Sequence, residues 1–363
     1  MTDSEKFRYE QMIEVAAYRN RLRKHPRLVY LFFELTDKCN MKCLHCGSSC
    51  KGSNHTYLEK EQIYKVLEEV AEKYGTNSVM ICLTGGEPML HPDFYEIIMH
   101  IHNTGFGWGM TSNGTLINEE TALMLSEAHM GSISISLDGL APEHNFLRNR
   151  LDVFQLAETG IKSLLSCEKY RGVTQVTTVV HKKNIDTLDT IYEYLKRIGL
   201  LEWRLTNIDP IGRTLENKDL SLDNDDFVKL LTYIRDKRFD TNNDMNVTYG
   251  CAHYLTAEWE RMTRDNYFIC GAGINVAGIL CNGDIYSCFD IERRPELVQG
   301  NIKMDNFVDV WENRFQIYRK DRTLECSMCK ECEDKFVCEA DSYHTWDFEK
   351  QEPKICFKNK HFT

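Results

Sequence analysis

The sequence predicts an α/β protein: a partial (β/α)6 barrel of TIM type over residues 28–206, followed by a small cysteine-rich α+β domain with a β-hairpin over residues 251–363. Three observations predict it. Between Leu28 and Thr206, short apolar runs rich in Val, Ile and Phe alternate with amphipathic stretches whose apolar residues recur every three or four positions, which is the pattern of strands and helices in a parallel sheet. Residues 207–250 then turn polar and charged. Beyond them Asn282-Gly283, flanked by apolar runs, is the strongest short signal for a hairpin, and nine of the fifteen cysteines fall between Cys251 and Cys356.

Taken in order, residues 1–27 have the composition of a helical segment and contain no uninterrupted apolar core. The first apolar run, Leu28 to Phe33, is too short to cross a bilayer or to serve as a signal peptide, so a cytoplasmic protein without a membrane partner is expected. Six strands are read at LVYLFFELT, NSVMICLTGG, FGWGMTSNG, SISISLDG, VTQVTTVVHKKN and LEWRLTN. Helical patterns such as LEKEQIYKVLEEVAEKYG, HPDFYEIIMHIHNTG and IDTLDTIYEYLKRIG separate them. Residues 207–250 read as a linker with one bridging helix, DNDDFVKLLTYIRDK, and a loop at Thr241 to Asp244. No internal repeat or low-complexity tract is present.

A chain of 363 residues with 42% hydrophobic content can bury a barrel-sized core and a second unit. The 44 Lys and Arg against 55 Asp and Glu, a net charge of −11 without a basic stripe, argue against nucleic-acid binding. Fifteen cysteines in a reducing compartment argue for metal or redox chemistry over a disulfide framework.

Cys39, Cys43 and Cys46 follow the first strand in a C-x3-C-x2-C spacing. Three thiolates can hold three irons of a 4Fe-4S cube and leave the fourth iron open to an exogenous ligand. Polar motifs close each of the next strands, where α/β barrels place their chemistry: Thr84-Gly85-Gly86-Glu87-Pro88, then Thr111-Ser112-Asn113-Gly114, then Ser136-Leu137-Asp138-Gly139 with Arg148 shortly after. The glycines let main-chain groups approach a ligand, and the set offers polar partners for an amino acid moiety and a ribose.

This ordered set resembles the radical S-adenosylmethionine enzymes. The resemblance implies that Cys39, Cys43 and Cys46 hold the cluster and that its open iron binds the amino and carboxylate groups of S-adenosylmethionine. It places Gly85, Gly86 and Glu87 along the methionine amine, Ser136 and Arg148 near the carboxylate or ribose, Asn113 in the same pocket and His45 beside the adenine. One electron from the cluster would cleave the sulfonium to methionine and a 5'-deoxyadenosyl radical. The fifth strand, VTTVVHKKN, lacks the Gly-rich adenine-side pattern of some members. Cys82 reads as a buried thiol, Cys50 and Cys167 as bystanders, and Trp108, Trp203, Trp311 and Trp346 as core residues.

In the C-terminal part, Cys270, Gly283 and Cys288 form a C-x12-G-x4-C pattern, and Cys329, Cys332 and Cys338 a C-x2-C-x5-C run with Cys356 beyond. This resembles the SPASM extension, which carries two auxiliary 4Fe-4S clusters. The resemblance implies one cluster on Cys329, Cys332, Cys338 and Cys356, and a second begun by Cys270 and Cys288. Ser342 stands where the pattern has its next cysteine, so Cys251 and Cys326 are expected to complete the second cluster, with Cys281 a spare. Eight thiolates make two cubes and, with the first site, three clusters; an alternative leaves one auxiliary iron open for substrate. A zinc ribbon would use the same paired spacing. His344 is expected to be a surface or packing residue.

Enzymes with this pairing commonly modify peptides. The first expectation is a maturase of a ribosomally made peptide, forming a crosslink or thioether or inverting a stereocentre. Flavodoxin or ferredoxin would be its electron donor, and a separate protein could bind the leader peptide. The alternative is an anaerobic sulfatase-maturing enzyme that makes formylglycine. There an Asp directly follows the hairpin cysteine as base; here Phe289 follows Cys288, and Asp290 is the candidate catalytic acid or base. A non-enzymatic iron-sulfur electron carrier is the distant third reading.

Overall fold

The computed structural model of the chain describes residues 1–48, 50, 55–250 and 253–362. All six expected strands form: β1 (Tyr30–Glu34), β2 (Met80–Thr84), β3 (Trp108–Ser112), β4 (Ser132–Ser136), β5 (Thr174–Val180) and β6 (Glu202–Asn207). Each is parallel to the next, and β1 and β2 run in register from Tyr30 opposite Met80 to Glu34 opposite Thr84. The polar motifs therefore line up along the carboxyl edge of one sheet, the edge on which parallel α/β folds build their sites.

Helices connect the strands and cover the sheet: α1 (Asp3–Lys24) precedes it, and α2 (Lys60–Tyr74), α3 (Phe94–Thr104), α4 (Glu119–Glu127), α5 (Ala141–Arg148) and α6 (Val153–Ser166) lie between β1 and β5. In α3, Phe94, Ile97, Ile98 and Ile101 recur at helical spacing and are all buried, each contributing about 2 kcal/mol of apolar burial. The tryptophans are core residues as expected, with Trp108, Trp203, Trp311 and Trp346 nearly inaccessible.

Two differences from the expected architecture matter. The stretch expected as a linker carries, besides its bridging helix at Asn224–Phe239, a seventh parallel strand, β7 (Asn246–Tyr249), paired with β6. NVTY is short and follows a polar loop, so its strand character emerges only through pairing with β6. The second difference is the hairpin. Its strands, β8 (Val276–Ile279) and β9 (Asp284–Tyr286), form as expected, but β8 also pairs in parallel with β1. With β10 (Gly300–Asn301), the sheet runs β10-β9-β8-β1-β2-β3-β4-β5-β6-β7, so the cysteine-rich part is annealed to the barrel's first strand. Glu34 of β1, almost fully buried, accepts from the Cys281 amide at 3.1 Å and pairs with Arg293 across this seam.

The N-terminal helix also binds the two parts together. Its N-terminus is closed by a reciprocal pair of bonds, Thr2 N–H to Glu5 Oε2 at 2.7 Å and Glu5 N–H to Thr2 Oγ1 at 3.3 Å. Met12 and Ala16 pack on Tyr254, Phe268 and Val337, while buried Arg19 reaches the Val337 and Phe336 carbonyls and Glu339. Among the described residues, no helix is long and apolar enough to cross a membrane.

Candidate functional site

The loop after β1 carries Cys39, Cys43 and Cys46, which pack together with Met41 and Val153. The segments that fix this loop come from the exits of other strands and from the end of α5. After β2, Gly86 N–H donates to Thr36 O at 2.7 Å and Glu87 N–H to Lys38 O at 2.9 Å. After β3, Asn113 Nδ2 donates to Asn40 Oδ1 at 2.8 Å. Leu147 O at the end of α5 accepts from Leu44 N–H at 2.9 Å. After β6, Arg213 Nε donates to Cys43 O at 2.6 Å, and Asn217 Nδ2 to Leu44 O at 3.1 Å.

This geometry changes the role of the glycine turn. A Cβ on Gly86 would stand 2.3 Å from Lys38 O and 2.8 Å from Cys39 Cβ, so the missing side chain is what lets the cysteine loop lie on the turn. Glu87 is likewise structural. It is fully buried, its two oxygens accept from Ser112 Oγ and Asn113 N–H at 2.9 Å each, and burial raises its carboxyl to about 7. Asn113 is also committed, its Oδ1 accepting from Thr115, which leaves it bracing the loop. Glu87 and Asn113, expected along the ligand, thus spend their side-chain polar atoms on Ser112, Thr115, Asn40 and each other. Gly85 flanks the same close approach, with Thr36 O 2.6 Å from its would-be Cβ.

Arg148 places its charge against a cysteine sulfur. Its Nη1 donates to Cys43 Sγ at 3.7 Å and its Nε to Asp138 Oδ2 at 2.6 Å. Burial alone would raise Asp138, but the Arg148 guanidinium and His144 hold it well below the usual carboxylate range. Burial pushes the Cys39 thiol up to about 12 and raises Cys43, against which Arg148 works. His45 is half-buried, its Nδ1 inaccessible and without a hydrogen-bond partner, and burial, then Arg148, lowers the ring to about 3. Ser136, half-buried at the end of β4, makes no side-chain hydrogen bond among the described residues. Three close thiols, a guanidinium and an unpartnered imidazole nitrogen fit an iron-sulfur cluster with a polar ligand beside it. Cys50 lies closer than expected, its thiol hydrogen-bonded to Cys46. Cys82 is half-buried instead of buried.

In the second cysteine region, Cys329, Cys332, Cys338 and Cys356 line one cavity with Tyr254 and Asp334, the four thiols that the interleaved pattern assigns together. Burial raises Cys329, Cys338 and Cys356. The chain turns beside them at Glu339, Ala340 and Asp341, all left-handed with φ of 59, 61 and 64°. Such a run is costly, and buried side chains hold it: Arg322 donates to the Asp341 and Ser342 carbonyls, and Arg19 pairs with Glu339. Asp341 N–H donates to Cys338 Sγ at 3.3 Å. His253 bridges Asp341 at 2.9 Å and Asp209 at 3.0 Å; burial would lower it, but the two carboxylates raise it to about 10.

The hairpin thiols are arranged differently from the expectation. Cys326, expected to complete their group, is fully buried against Cys329, Ala340 and Trp346 on the side of the four-thiol cavity. Cys251 lies outside the described residues. Cys270 and Cys288 pack on the main core. His344, expected as a packing or surface residue, is buried with its Nε2 3.6 Å from Cys288 Sγ. Cys281, expected to be the spare thiol, is buried and hydrogen-bonds Glu34.

Sequence reading missed Asp138 as the partner of Arg148, and Arg213, Asn217 and Asn40 as braces of the cysteine loop. Asp138 lay inside a quoted motif; the others carry no local signal, because the partners of Arg213 and Asn217 are main-chain carbonyls, and those of Asn40 side chains, far along the chain.

Residues 33–195 match the Radical SAM superfamily, and residues 270–333 match the SPASM iron-sulfur cluster-binding domain. The AdoMet-dependent heme synthase of Methanosarcina barkeri is 27% identical over 359 residues, covering 92% of this chain and 97% of that protein. Mycofactocin maturase MftC of Mycobacterium tuberculosis is 27% identical over 288 residues, covering 78% and 70%. Among solved structures, native anSMEcpe with bound AdoMet and the Cp18Cys peptide superposes with a TM-score of 0.71 at 20% identity, covering 92% of this chain and 95% of that one. Streptococcus suis SuiB bound to its precursor peptide SuiA gives 0.71 at 18% identity, covering 93% and 78%. These superpositions support the fold, a partial barrel with a C-terminal auxiliary domain. With the cysteine loop at the carboxyl edge of its sheet and a second cysteine cavity beyond, the chain belongs to the radical SAM superfamily with a SPASM domain, an enzyme of S-adenosylmethionine and iron-sulfur chemistry.

Proposed function

We propose that this enzyme modifies a ribosomally made peptide by hydrogen abstraction, forming a crosslink or thioether or inverting a stereocentre. The observation that carries the reading is the pairing of a three-thiol loop at the barrel edge with a four-thiol cavity in the annealed C-terminal part. The likeness to a peptide maturase, MftC, supports it. When bound, the cluster on Cys39, Cys43 and Cys46 supplies one electron that cleaves S-adenosylmethionine to methionine and a 5'-deoxyadenosyl radical.

The protein's own part is orientation. The braces from β2, β3, α5 and the segment after β6 hold the three thiols at fixed spacing, and Arg148 places positive charge against Cys43. Ser136 offers an uncommitted hydroxyl at the same edge, and His45 an uncommitted ring nitrogen for the cofactor. Gly85, Gly86, Glu87 and Asn113 act one layer back, through the loop. In the second region Cys329, Cys332, Cys338 and Cys356 would hold an auxiliary cluster able to accept an electron, and flavodoxin or ferredoxin would be the donor to the first site. The sequence expectation of three clusters needs a second cube on the hairpin; Cys326, placed beside Cys329, weakens that count.

A second reading, oxidation of a heme precursor, draws support from the near full-length likeness to the heme synthases. The formylglycine reading gains none: Phe289, in the position of its base, packs edge-on against Phe32 at 6.0 Å, and Asp290 points to His344. The test is anaerobic reconstitution with dithionite and S-adenosylmethionine, followed by chromatography for 5'-deoxyadenosine and mass spectrometry of small peptides encoded beside the gene. A mass change in a peptide supports the proposal. Turnover of a heme precursor with unaltered peptides selects the second reading, and absence of 5'-deoxyadenosine overturns both.

A further inference from the structure

We propose that the Tyr254 hydroxyl donates a hydrogen bond to a sulfur of the auxiliary cluster held by Cys329, Cys332, Cys338 and Cys356, and so raises that cluster's reduction potential. The inference rests on the assignment of those four thiols to one cluster and deepens it. Tyr254 lines the same cavity as the thiols and is only 4% exposed. Its hydroxyl, inaccessible to solvent, has no hydrogen-bond partner among the described residues. Leaving a buried hydroxyl unmet is costly, and the sulfurs of a cluster in this cavity supply the acceptor it lacks.

The other buried polar side chains of the cavity are already spent. Asp341 holds His253 at 2.9 Å and accepts from Tyr254 N–H at 2.7 Å. Asp334 pairs with Lys358 at 2.8 Å. Burial, then the Asp334 charge, pushes the Tyr254 hydroxyl up and keeps it a neutral donor, yet the two groups do not meet in hydrogen-bond geometry. Main-chain donors already reach two of the thiols, Asp341 N–H to Cys338 Sγ at 3.3 Å and the Lys358 and Asn359 N–H groups to Cys356. The hydroxyl is the side-chain donor that completes this set.

Tyr254 is fixed at both ends. Asp341 binds its main chain, and its ring packs with Met12 and Ala16 of α1, with Val337 beside Cys338, and edge-on to Phe268 at 6.3 Å between centroids. Hydrogen bonds to the sulfurs are among the levers that set an iron-sulfur potential. A donor favours the more negative, reduced form, so a fixed hydroxyl raises the potential. That suits a cluster whose part is to accept an electron.

The test is a potentiometric titration of the anaerobically reconstituted full-length protein. Dithionite supplies one electron per cluster, and electron paramagnetic resonance reports the reduced form. The signal of this cavity is the one that disappears when Cys329, Cys332, Cys338 and Cys356 are replaced by Ala. Tyr254→Phe keeps the ring and removes only the oxygen, so iron and sulfide should stay at the wild-type level. At the wild-type midpoint the reduced-to-oxidised ratio of the cavity signal should fall about tenfold, a shift of about 59 mV to lower potential for one electron. The signal of the Cys39, Cys43 and Cys46 site should not move. In the wild type, exchange into deuterium oxide should add to the cavity signal a deuteron coupling that Tyr254→Phe lacks. An unmoved midpoint, an equal shift of every signal, loss of cavity iron in Tyr254→Phe, or identical deuteron couplings in the two proteins would overturn the proposal. A full set of signals after replacement of the four thiols would overturn the cluster assignment and the proposal with it, whereas the other outcomes leave the assignment standing.

Discussion

The two cysteine regions are built in opposite ways. In the first, all three thiols sit on one loop of eight residues, and the rest of the barrel holds that loop by its main chain: Thr36, Lys38, Cys43 and Leu44 are all hydrogen-bonded through carbonyls. In the second, thiols from separated segments converge because buried ion pairs hold a strained turn, with Arg19 on Glu339, Arg322 under the Asp341 carbonyl and His253 between two carboxylates. A contiguous motif needs bracing only, whereas a dispersed one needs long-range electrostatics to exist at all.

The sharpest way to test this contrast is to remove each set of thiols. Replacing Cys39, Cys43 and Cys46 by Ala should remove about four irons and abolish 5'-deoxyadenosine formation, measured by iron assay and chromatography. Replacing Cys329, Cys332, Cys338 and Cys356 should also remove about four irons, but S-adenosylmethionine should still be cleaved, without peptide product. Loss of cleavage in the second set would mean that the regions are not separable.

A smaller effect comes from the charges that hold each region. Arg148→Met takes from the buried Asp138 carboxylate its guanidinium partner and should cost about 3 kcal/mol. Its loss should show in denaturant unfolding of the metal-free chain, with iron lost selectively from the first site. Arg19→Met takes one of the two guanidinium partners of Glu339, which keeps Arg23, so it should cost less and lose iron from the C-terminal cavity instead. If both variants lose the same cluster, the two supports are not local. Smaller again is Gly86→Ala. Its methyl group must displace the Lys38 carbonyl, at a cost of about 1–3 kcal/mol, so S-adenosylmethionine affinity should fall about tenfold. Calorimetric titration of the reconstituted protein measures it, and unchanged affinity would show that the turn can yield.

What was legible in the sequence follows the same division. The six barrel strands and the triplet Cys39, Cys43 and Cys46 could be read because periodicity and contiguous spacing are local properties. β7 could not, because four residues of NVTY form a strand only where β6 offers an edge. The hairpin was legible from Asn282-Gly283, but its parallel pairing with β1 was not, since nothing in either segment records the other. The resemblance grouped four thiols that share one cavity and set Cys326 with the hairpin, whereas Cys326 packs with Cys329 and Trp346, a placement no local pattern records. Glu87 and Asn113 were placed along the ligand by the family resemblance, which records none of their hydrogen-bond partners. Only the coordinates reveal that their donors and acceptors are spent on each other, Ser112, Thr115 and Asn40.

Cys281 gives the smallest effect and tests the seam between the regions. Its thiol hydrogen-bonds Glu34 on β1, whose carboxylate also takes the Cys281 amide and Arg293. Burial raises the thiol well above its ordinary value, so it acts as a neutral, weak donor. Cys281→Ala removes one bond of several to a carboxylate that keeps its charged partner, and should cost about 1 kcal/mol. Iron and sulfide should not change. Both are measured on one preparation, by denaturation of the metal-free chain and by assay after reconstitution. A loss of about four irons and four sulfides would instead make Cys281 a cluster ligand, and the seam between barrel and hairpin would then be a third metal-binding region.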